Sequence, residues 1–197
     1  YRESVRELCR GFGSDYWQRI EADGAYPEAF VKALTDAGWL SVLIPAEYGG
    51  GGLGVTEASV ILEEINRSGA NSGACHAQMY IMGTLLRHGS AEQKARYLPR
   101  IAAGELRLQS FAVTEPTTGT DTTRIRTFAR KDGDRYVVSG QKVWISRVQH
   151  SDLMLLLART TPLPNVVKRS EGLSVFLVEL NGTSKGMSVR PIRNMVG

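Results

Sequence analysis

Cysteine is scarce: the 197-residue chain has two, Cys9 and Cys75, far apart and outside any Cys-x-x-Cys or Cys/His cluster. That excludes a disulfide framework and a structural zinc site, and makes the thiols packing residues of a reduced, cytoplasmic setting. Long hydrophobic runs are also missing. The longest, Leu153 to Ala158, is far short of the roughly 20 residues of a membrane helix, so no membrane span is expected. The opening Tyr1-Arg2-Glu3 leads into a charged amphipathic pattern, not a secretory signal. Charge of one sign is not concentrated either: 24 Lys and Arg against 20 Asp and Glu leave a net +4, and basic clusters are no longer than Lys168-Arg169. A nucleic-acid-binding stripe is therefore not expected. The histidines His76, His88 and His150 show no ligand spacing, so no metal site is expected. Ser146, His150, Ser151 and Asp152 lie close in sequence, but without a Gly-x-Ser-x-Gly elbow they make no hydrolase triad.

What remains is an ordinary globular composition, 42% hydrophobic and 22% charged, with enough apolar content for a sizeable core. The first half has helical periodicity. Val5, Leu8, Cys9 and Phe12 share one face of a helix that breaks at Gly24 to Pro27, and the next helix runs to Gly38. The run Gly49-Gly50-Gly51-Gly52-Leu53-Gly54 lacks the Lys-Ser/Thr of a phosphate loop and reads as a flexible connection between helices. Val55 to Ile65, with Thr56 as cap, and the apolar Asn71 to Leu86 follow. The last helix starts at Ser90-Ala91-Glu92-Gln93 and ends at Gly104. The second half shifts to strand formers: Arg135 to Val138 after the turn Lys131-Asp132-Gly133-Asp134, then Gln141 to Ile145, Leu153 to Leu157, Leu173 to Leu180 and Ser184 to Val189. The predicted class is α+β: an N-terminal all-helical domain, residues 1–107, followed by an antiparallel β-barrel-like domain, residues 108–197.

Two stretches carry candidate chemistry. Phe111-Ala112-Val113-Thr114-Glu115-Pro116-Thr117-Thr118-Gly119-Thr120-Asp121 leaves a strand and turns at Pro116 and again at Gly119. Such a loop offers exposed N–H groups and hydroxyls. Glycine allows close approach, so pyrophosphate oxygens can be held without a net charge. The amides of Val113 and Thr114 suit the polar edge of a flat heterocycle. In Gln141-Lys142-Val143-Trp144-Ile145-Ser146-Arg147, strand geometry puts Trp144 and Ser146 on one face, suited to a ring system and its polar edge.

Together these stretches resemble the acyl-CoA dehydrogenase family of flavoproteins. Its Thr-Glu-Pro-x-x-Gly-Ser-Asp signature appears as Thr114 to Asp121, and its Trp-Ile-Thr-Asn signature as Trp144-Ile145-Ser146-Arg147. Ile44 to Gly50, His88 to Pro99 and Val189 to Met195 are similar to further family segments, in the family's order. The resemblance implies that FAD is held by Phe111, Val113, Thr114, Gly119, Thr120, Trp144, Ile145 and Ser146. Val113 and Thr114 would meet the isoalloxazine, and Gly119 and Thr120 would lie nearer the pyrophosphate. Thr120, where Ser is commoner, would also touch the CoA part of the substrate. Trp144 would pack on the flavin and Ser146 would bond its edge, while Arg147 departs from the usual Asn. His76, Met79 and Tyr80 become candidates for lining the acyl pocket.

The implied reaction is α,β-dehydrogenation of an acyl-CoA thioester with hydride transfer to FAD and reoxidation by an electron-transferring flavoprotein, in a homodimer or homotetramer. The alternatives are an acyl-CoA oxidase or related flavin monooxygenase using oxygen, and a non-catalytic CoA- or flavin-binding protein. In relatives the catalytic glutamate belongs to a C-terminal helical domain. None of Glu63, Glu64, Glu105 or Glu115 matches it, so no catalytic residue is assigned here. The chain, without an initial Met, is read as a fragment that lacks activity alone.

Overall fold

The structure, a computed structural model, describes residues 1–180 and 186–192. Among the described residues two compact units are present, Tyr1–Gln109 with Pro191 and Ile192, and Ser110–Arg190.

The first unit is helical: α1 (Arg2–Arg10), α2 (Ser14–Ala22), α3 (Glu28–Asp36), α4 (Val55–Arg67), α5 (Gly73–His88) and α6 (Ala91–Ala102). The single helix expected before Gly24 is instead divided at Gly11-Phe12-Gly13, where the chain turns so that Phe12, Tyr16 and Trp17 gather edge-to-face around one another and Phe30 at about 5 Å. Val5, Cys9, Phe30, Leu34, Ile61, Ile65, Cys75 and Met79 form the buried core beside that box. Both cysteines are thus packing residues, and neither forms a disulfide. The Ser90 hydroxyl accepts the Gln93 amide at 3.1 Å and the Gln93 side chain accepts the Ser90 amide at 2.9 Å, a reciprocal capping box at the place where the sequence suggested a cap. At α4 the cap is not Thr56: Glu57 reaches back to the Gly54 amide at 2.9 Å.

The glycine run is not a flexible connection. The amides of Gly49, Gly50, Gly51, Gly52 and Leu53 each donate to a carbonyl between Ser41 and Ala46, at 2.7 to 3.2 Å. At Gly50 the approach is so close that a Cβ would lie 2.1 Å from the Ile44 carbonyl oxygen. Glycine is needed there for room, and amides bonded internally cannot cradle phosphate.

A buried carboxylate holds α1 against α4. Glu64 is 1% exposed and accepts Arg2 Nη1 at 2.9 Å and Arg6 Nε at 3.1 Å; Arg2 also reaches Glu63 at 2.7 Å.

The strand β1 (Leu108–Ala112), which runs into the second unit, and β2 (Phe128–Asp132), β3 (Arg135–Ser139), β4 (Leu153–Arg159) and β5 (Leu173–Glu179) form one sheet. The strand β4 is central. It pairs with β5 antiparallel along its whole length, from Leu153↔Glu179 to Arg159↔Leu173. Its continuous run Leu153 to Ala158 is what a strand covered on both faces requires. The order β1-β4-β2-β3 places β1 and β2 beside β4. The expected hairpin is found, β2 and β3 joined through Gly133-Asp134 with Asp132 opposite Arg135.

The expectation of a purely antiparallel sheet needs correction. At Phe128↔Arg159, β2 meets β4 in parallel. The chain between β3 and β4, residues 140–152, is long enough for the crossover that a parallel neighbour requires. The sheet is mixed, and among the described residues it does not close into a barrel, although Tyr136 of β3 and Phe176 of β5 meet edge-to-face at 5.0 Å. Two predicted strands also differ. Gln141 to Ile145 has no strand pairing, for reasons that belong to the site. Of Ser184 to Val189, residues 184–185 lie outside the described residues and Gly186 to Val189 forms no strand. Among the described residues no helix is long and apolar enough to cross a membrane.

Hydrogen bonds from Arg6 and Arg2 hold the Glu64 carboxyl below its ordinary value of 4.5. A carboxylate with a lowered folded-state value contributes stability above 4.5 and loses it as pH falls through that lowered value. Below pH 4.5 the α1 amides should therefore lose hydrogen-exchange protection before those of α4. Glu64→Gln should show the same loss at neutral pH. Protection of α1 that is unchanged in Glu64→Gln would refute the clamp.

Candidate functional site

The strand β1 ends at Ala112, and the chain enters the signature loop. Glu115 and Thr118 exchange backbone hydrogen bonds, both 3.0 Å, closing a tight turn over Pro116. Gly119 and Thr120 follow, exposed, and among the described residues their amides have no bonded carbonyl. A Cβ built on Gly119 would meet nothing within 4 Å, so the backbone here faces open space. Asp121 closes the loop: its carboxylate accepts the Thr123 amide at 3.2 Å and bridges Arg169 at 3.4 Å. The Thr123 bonds and the nearby Arg169 and Arg124 hold that carboxyl below its ordinary range.

Under this loop sits Glu115, 5% exposed. Its carboxylate accepts the Arg126 amide at 2.7 Å, the Thr127 amide at 2.9 Å, the Thr127 hydroxyl at 2.6 Å and Lys142 Nζ at 3.0 Å. Burial pushes the carboxyl up, but the Thr127, Arg126 and Lys142 bonds outweigh it, and the net displacement is downward. Burial pushes the Lys142 ammonium down, against the bond and charge of Glu115. Lys142 Nζ also donates to the Val113 carbonyl at 2.8 Å, and the Val143 amide to the Thr114 carbonyl at 2.9 Å. Val113 and Thr114, both half-buried, are therefore fixed at their carbonyls from residues 142–143.

These bonds explain why Gln141 to Ile145 is not a strand. A ladder needs repeated backbone pairing; here one backbone bond and one inward lysine replace it. The close passage just before, where a Cβ on Gly140 would lie 2.7 Å from Thr127 Cα, brings the chain to Lys142. Trp144 then takes φ +63° and Arg147 φ +61°, the non-glycine residues with positive φ among those described. The expectation that strand geometry puts Trp144 and Ser146 on one face is thus overturned: left-handed backbone aims them instead. For a bulky residue this conformation is an outlier costing about 1–3 kcal/mol, a cost met where function requires it. Trp144 is 69% exposed. Ser146 is exposed, whereas Ile145 packs on Ala112, Met154 and Leu156. Phe111 lies half-buried on β1.

The structure thus brings Val113, Thr114, Lys142 and Val143 together around Glu115, with Gly119, Thr120, Trp144 and Ser146 exposed on the loops that this carboxylate ties down. In the helical unit, His76 and Tyr80 share an exposed face of α5, rings 4.7 Å apart, but Met79 is 2% exposed and belongs to the core. Met79 is therefore no pocket residue of this unit. Among the described residues no group of three or more His, Cys, Asp or Glu could hold a metal.

Sequence reasoning missed Lys142 and Arg159. Arg159, 2% exposed, gives Nε–H to the Ile125 carbonyl at 3.1 Å, Nη1–H to Glu171 at 3.0 Å, and Nη2–H to Thr123 and Arg169. A lysine after a glutamine and an arginine ending an apolar run look like ordinary solvated cations; only the fold turns them inward.

Glu115→Ala would leave the Arg126 amide and the Thr127 amide and hydroxyl without their acceptor, and the buried Lys142 without its counter-charge. Removing one member of a buried pair typically costs about 3–5 kcal/mol. The variant should lose about that much in urea unfolding, with Glu115→Gln losing less. An unchanged midpoint for Glu115→Ala would refute the central place given to this carboxylate.

Comparison with known proteins bears on both units. Residues 1–105 match the family model for the acyl-CoA dehydrogenase N-terminal domain, and residues 110–197 that for the acyl-CoA dehydrogenase middle domain. The chain is 39% identical over 172 residues to acyl-CoA dehydrogenase FadE26 of Mycobacterium tuberculosis, which covers 87% of this chain and 42% of that protein. A solved acyl-CoA dehydrogenase from Geobacillus kaustophilus superposes with TM-score 0.83 at 30% identity, over 91% of this chain and 47% of that one. A chain of the ChsE4–ChsE5 complex from Mycobacterium tuberculosis gives TM-score 0.84 at 34% identity, over 98% of this chain and 50% of that one. The chain thus spans half or less of the length of these relatives. Matched through both of its units, it belongs to the acyl-CoA dehydrogenase family.

Proposed function

We propose that this chain is the N-terminal helical domain, residues 1–107, and the middle β domain, residues 108–197, of an FAD-dependent acyl-CoA dehydrogenase. The observation that carries the reading is Trp144, a large aromatic side chain 69% exposed on left-handed backbone. Exposing such a ring and straining its backbone is unfavourable unless a ligand covers it.

The residues suit a flavin. Trp144 offers a ring face, Ser146 an exposed hydroxyl, and Gly119 and Thr120 free amides beside open space, as a pyrophosphate needs. Phe111, Val113, Thr114 and Ile145 complete the set. Val113 and Thr114 present a backbone held rigid through Lys142 and Val143, and Ile145 anchors the Trp144 loop in the apolar cluster. Thr120 is assigned a second contact, to the CoA part of the substrate. When bound, FAD supplies the hydride acceptor for the β carbon of the thioester. The chain's own work is orientation: a fixed backbone edge at Val113 and Thr114, a hydroxyl at Ser146 and a ring wall at Trp144.

Glu115 is unsuited to removing the α proton. Its oxygens are occupied by four donors, and its proton affinity is lowered. Glu64 is closed in by two guanidiniums in the same way. The catalytic carboxylate is therefore assigned to sequence beyond this chain, in keeping with the half-length coverage of its relatives. An electron-transferring flavoprotein as oxidant, and a homodimeric or homotetrameric assembly, complete the proposal.

The test is a visible spectrum of the full-length protein, repeated without oxygen after adding an acyl-CoA. A flavin band that bleaches, with slow return in air, is expected; a protein that takes up no flavin even with added FAD would overturn the reading. Trp144→Ala should weaken FAD affinity roughly 2- to 13-fold, the worth of about 0.5–1.5 kcal/mol of aromatic stacking. Equal affinity would remove the tryptophan from the site.

A further inference from the structure

The Lys142 side chain is 10% exposed, with Glu115 as its counter-charge at 3.0 Å. Its ammonium makes a second bond that the ion pair does not require: Nζ donates to the Val113 carbonyl at 2.8 Å. That carbonyl shares its peptide unit with the Thr114 N–H. Among the described residues no peptide bond is cis, and in a trans peptide the C=O and N–H point in opposite directions. The Thr114 N–H is therefore directed away from Lys142. Among the described residues it donates to no acceptor, although Thr114 is half-buried. A backbone donor left open in such a place points to a ligand. The next peptide differs. The Thr114 carbonyl accepts the Val143 amide at 2.9 Å, and the Glu115 amide donates to the Thr118 carbonyl at 3.0 Å. Of the two, the 113–114 peptide joins a buried cation to an open donor.

An ammonium bonded to a peptide oxygen draws electron density from the nitrogen, and the N–H becomes a stronger donor. Chained hydrogen bonds reinforce one another by roughly 10–30% per bond, and an ionised first member is the strongest kind. Glu115 does not cancel this effect. Its carboxylate is already met by the Arg126 amide and by the Thr127 amide and hydroxyl, whereas the Val113 carbonyl has the ammonium in direct contact. The benefit grows with the negative charge on the acceptor that the Thr114 N–H meets. An acceptor that gains electrons while bound therefore gains most.

We infer that Lys142 is a positioning residue that acts through the Val113–Thr114 peptide: it strengthens the Thr114 N–H as a donor to the polar edge of the flavin, and so favours the reduced cofactor over the oxidised one. The inference rests on the flavin reading given above. A cofactor whose reduced state is favoured is the better hydride acceptor.

The test is the midpoint potential of the flavin bound to the full-length protein, measured by equilibration with redox dyes. Two variants are compared with the parent. Lys142→Met removes the charge with little change of length. Lys142→Met/Glu115→Gln removes both charges, so the net charge is the parent's and no unpaired ion is buried. In each, the preference for reduced over oxidised flavin should drop at least about threefold, a fall of about 14 mV for a two-electron couple. The single variant should fall further. Lys131→Met, which removes an exposed charge on β2, should keep the parent's potential. A merely structural role would weaken both states of the flavin alike and leave the potential in place. An unchanged or raised potential in the double variant overturns the inference, even where the single variant fails to hold flavin. Loss of flavin from both variants assigns Lys142 to the fold alone and overturns it too. A parent that takes up no flavin overturns the flavin reading itself, and this inference with it.

Discussion

Residues 123–127 lie between two buried charges of opposite sign, and the irregular half of the β unit depends on that arrangement. Toward Glu115 the segment presents N–H groups, those of Arg126 and Thr127. Toward Arg159 it presents carbonyls, those of Thr123 and Ile125, while the Thr127 carbonyl takes the Arg159 amide at 2.8 Å. Each peptide dipole is therefore oriented favourably, its positive end toward the carboxylate or its negative end toward the guanidinium. Neither ion is paired with the other. Arg159 is met by backbone carbonyls alone, Glu115 by backbone amides together with the Thr127 hydroxyl and Lys142, and each in turn fixes that backbone where no strand ladder exists.

From that segment the constraint spreads outward. Glu115 reaches Lys142, and Lys142 reaches Val113, so the two signature stretches are joined by a charged side chain. Because Lys142 is held inward, the chain after it turns, and left-handed backbone at Trp144 and Arg147 follows. Arg159 does the same at the other side of the segment, tying Arg169 and Glu171 to Thr123 and Ile125. Rigid surroundings are what allow strained backbone to persist, and strained backbone is what aims Trp144 outward.

How far this was legible in the sequence follows from the physics of each element. Amphipathic periodicity and the Ser90 cap depend on neighbours three or four residues away, so the helices of the first unit were readable, as was the two-residue hairpin turn. The division at Gly11–Gly13 was not, because it is set by the aromatic box around Phe30, far along the chain. Apolar Leu153 to Ala158 announced a buried strand but not the direction of its neighbours; the parallel pair Phe128↔Arg159 is decided by the path of the intervening chain. At the site, residue types identified the two signature stretches. Their geometry was misread, because Val143 to Ile145 has strand composition and only the inward bond of Lys142 withdraws it from the sheet.

A buried ion pair can often be replaced by apolar residues without loss, because desolvation offsets much of the attraction. That exchange is closed to Glu115 and Arg159. An apolar residue at position 115 would orphan the Arg126 and Thr127 amides, and one at 159 would orphan four carbonyls, and a buried backbone group has no other means of satisfaction. The two charges are thus retained for the backbone they satisfy more than for net stability. The same logic separates them from catalysis. A buried carboxylate committed to four donors, its proton affinity lowered by them, is a poor acceptor for a substrate proton, and its contribution is the fixed position of the loops on which Thr114, Thr120 and Trp144 stand.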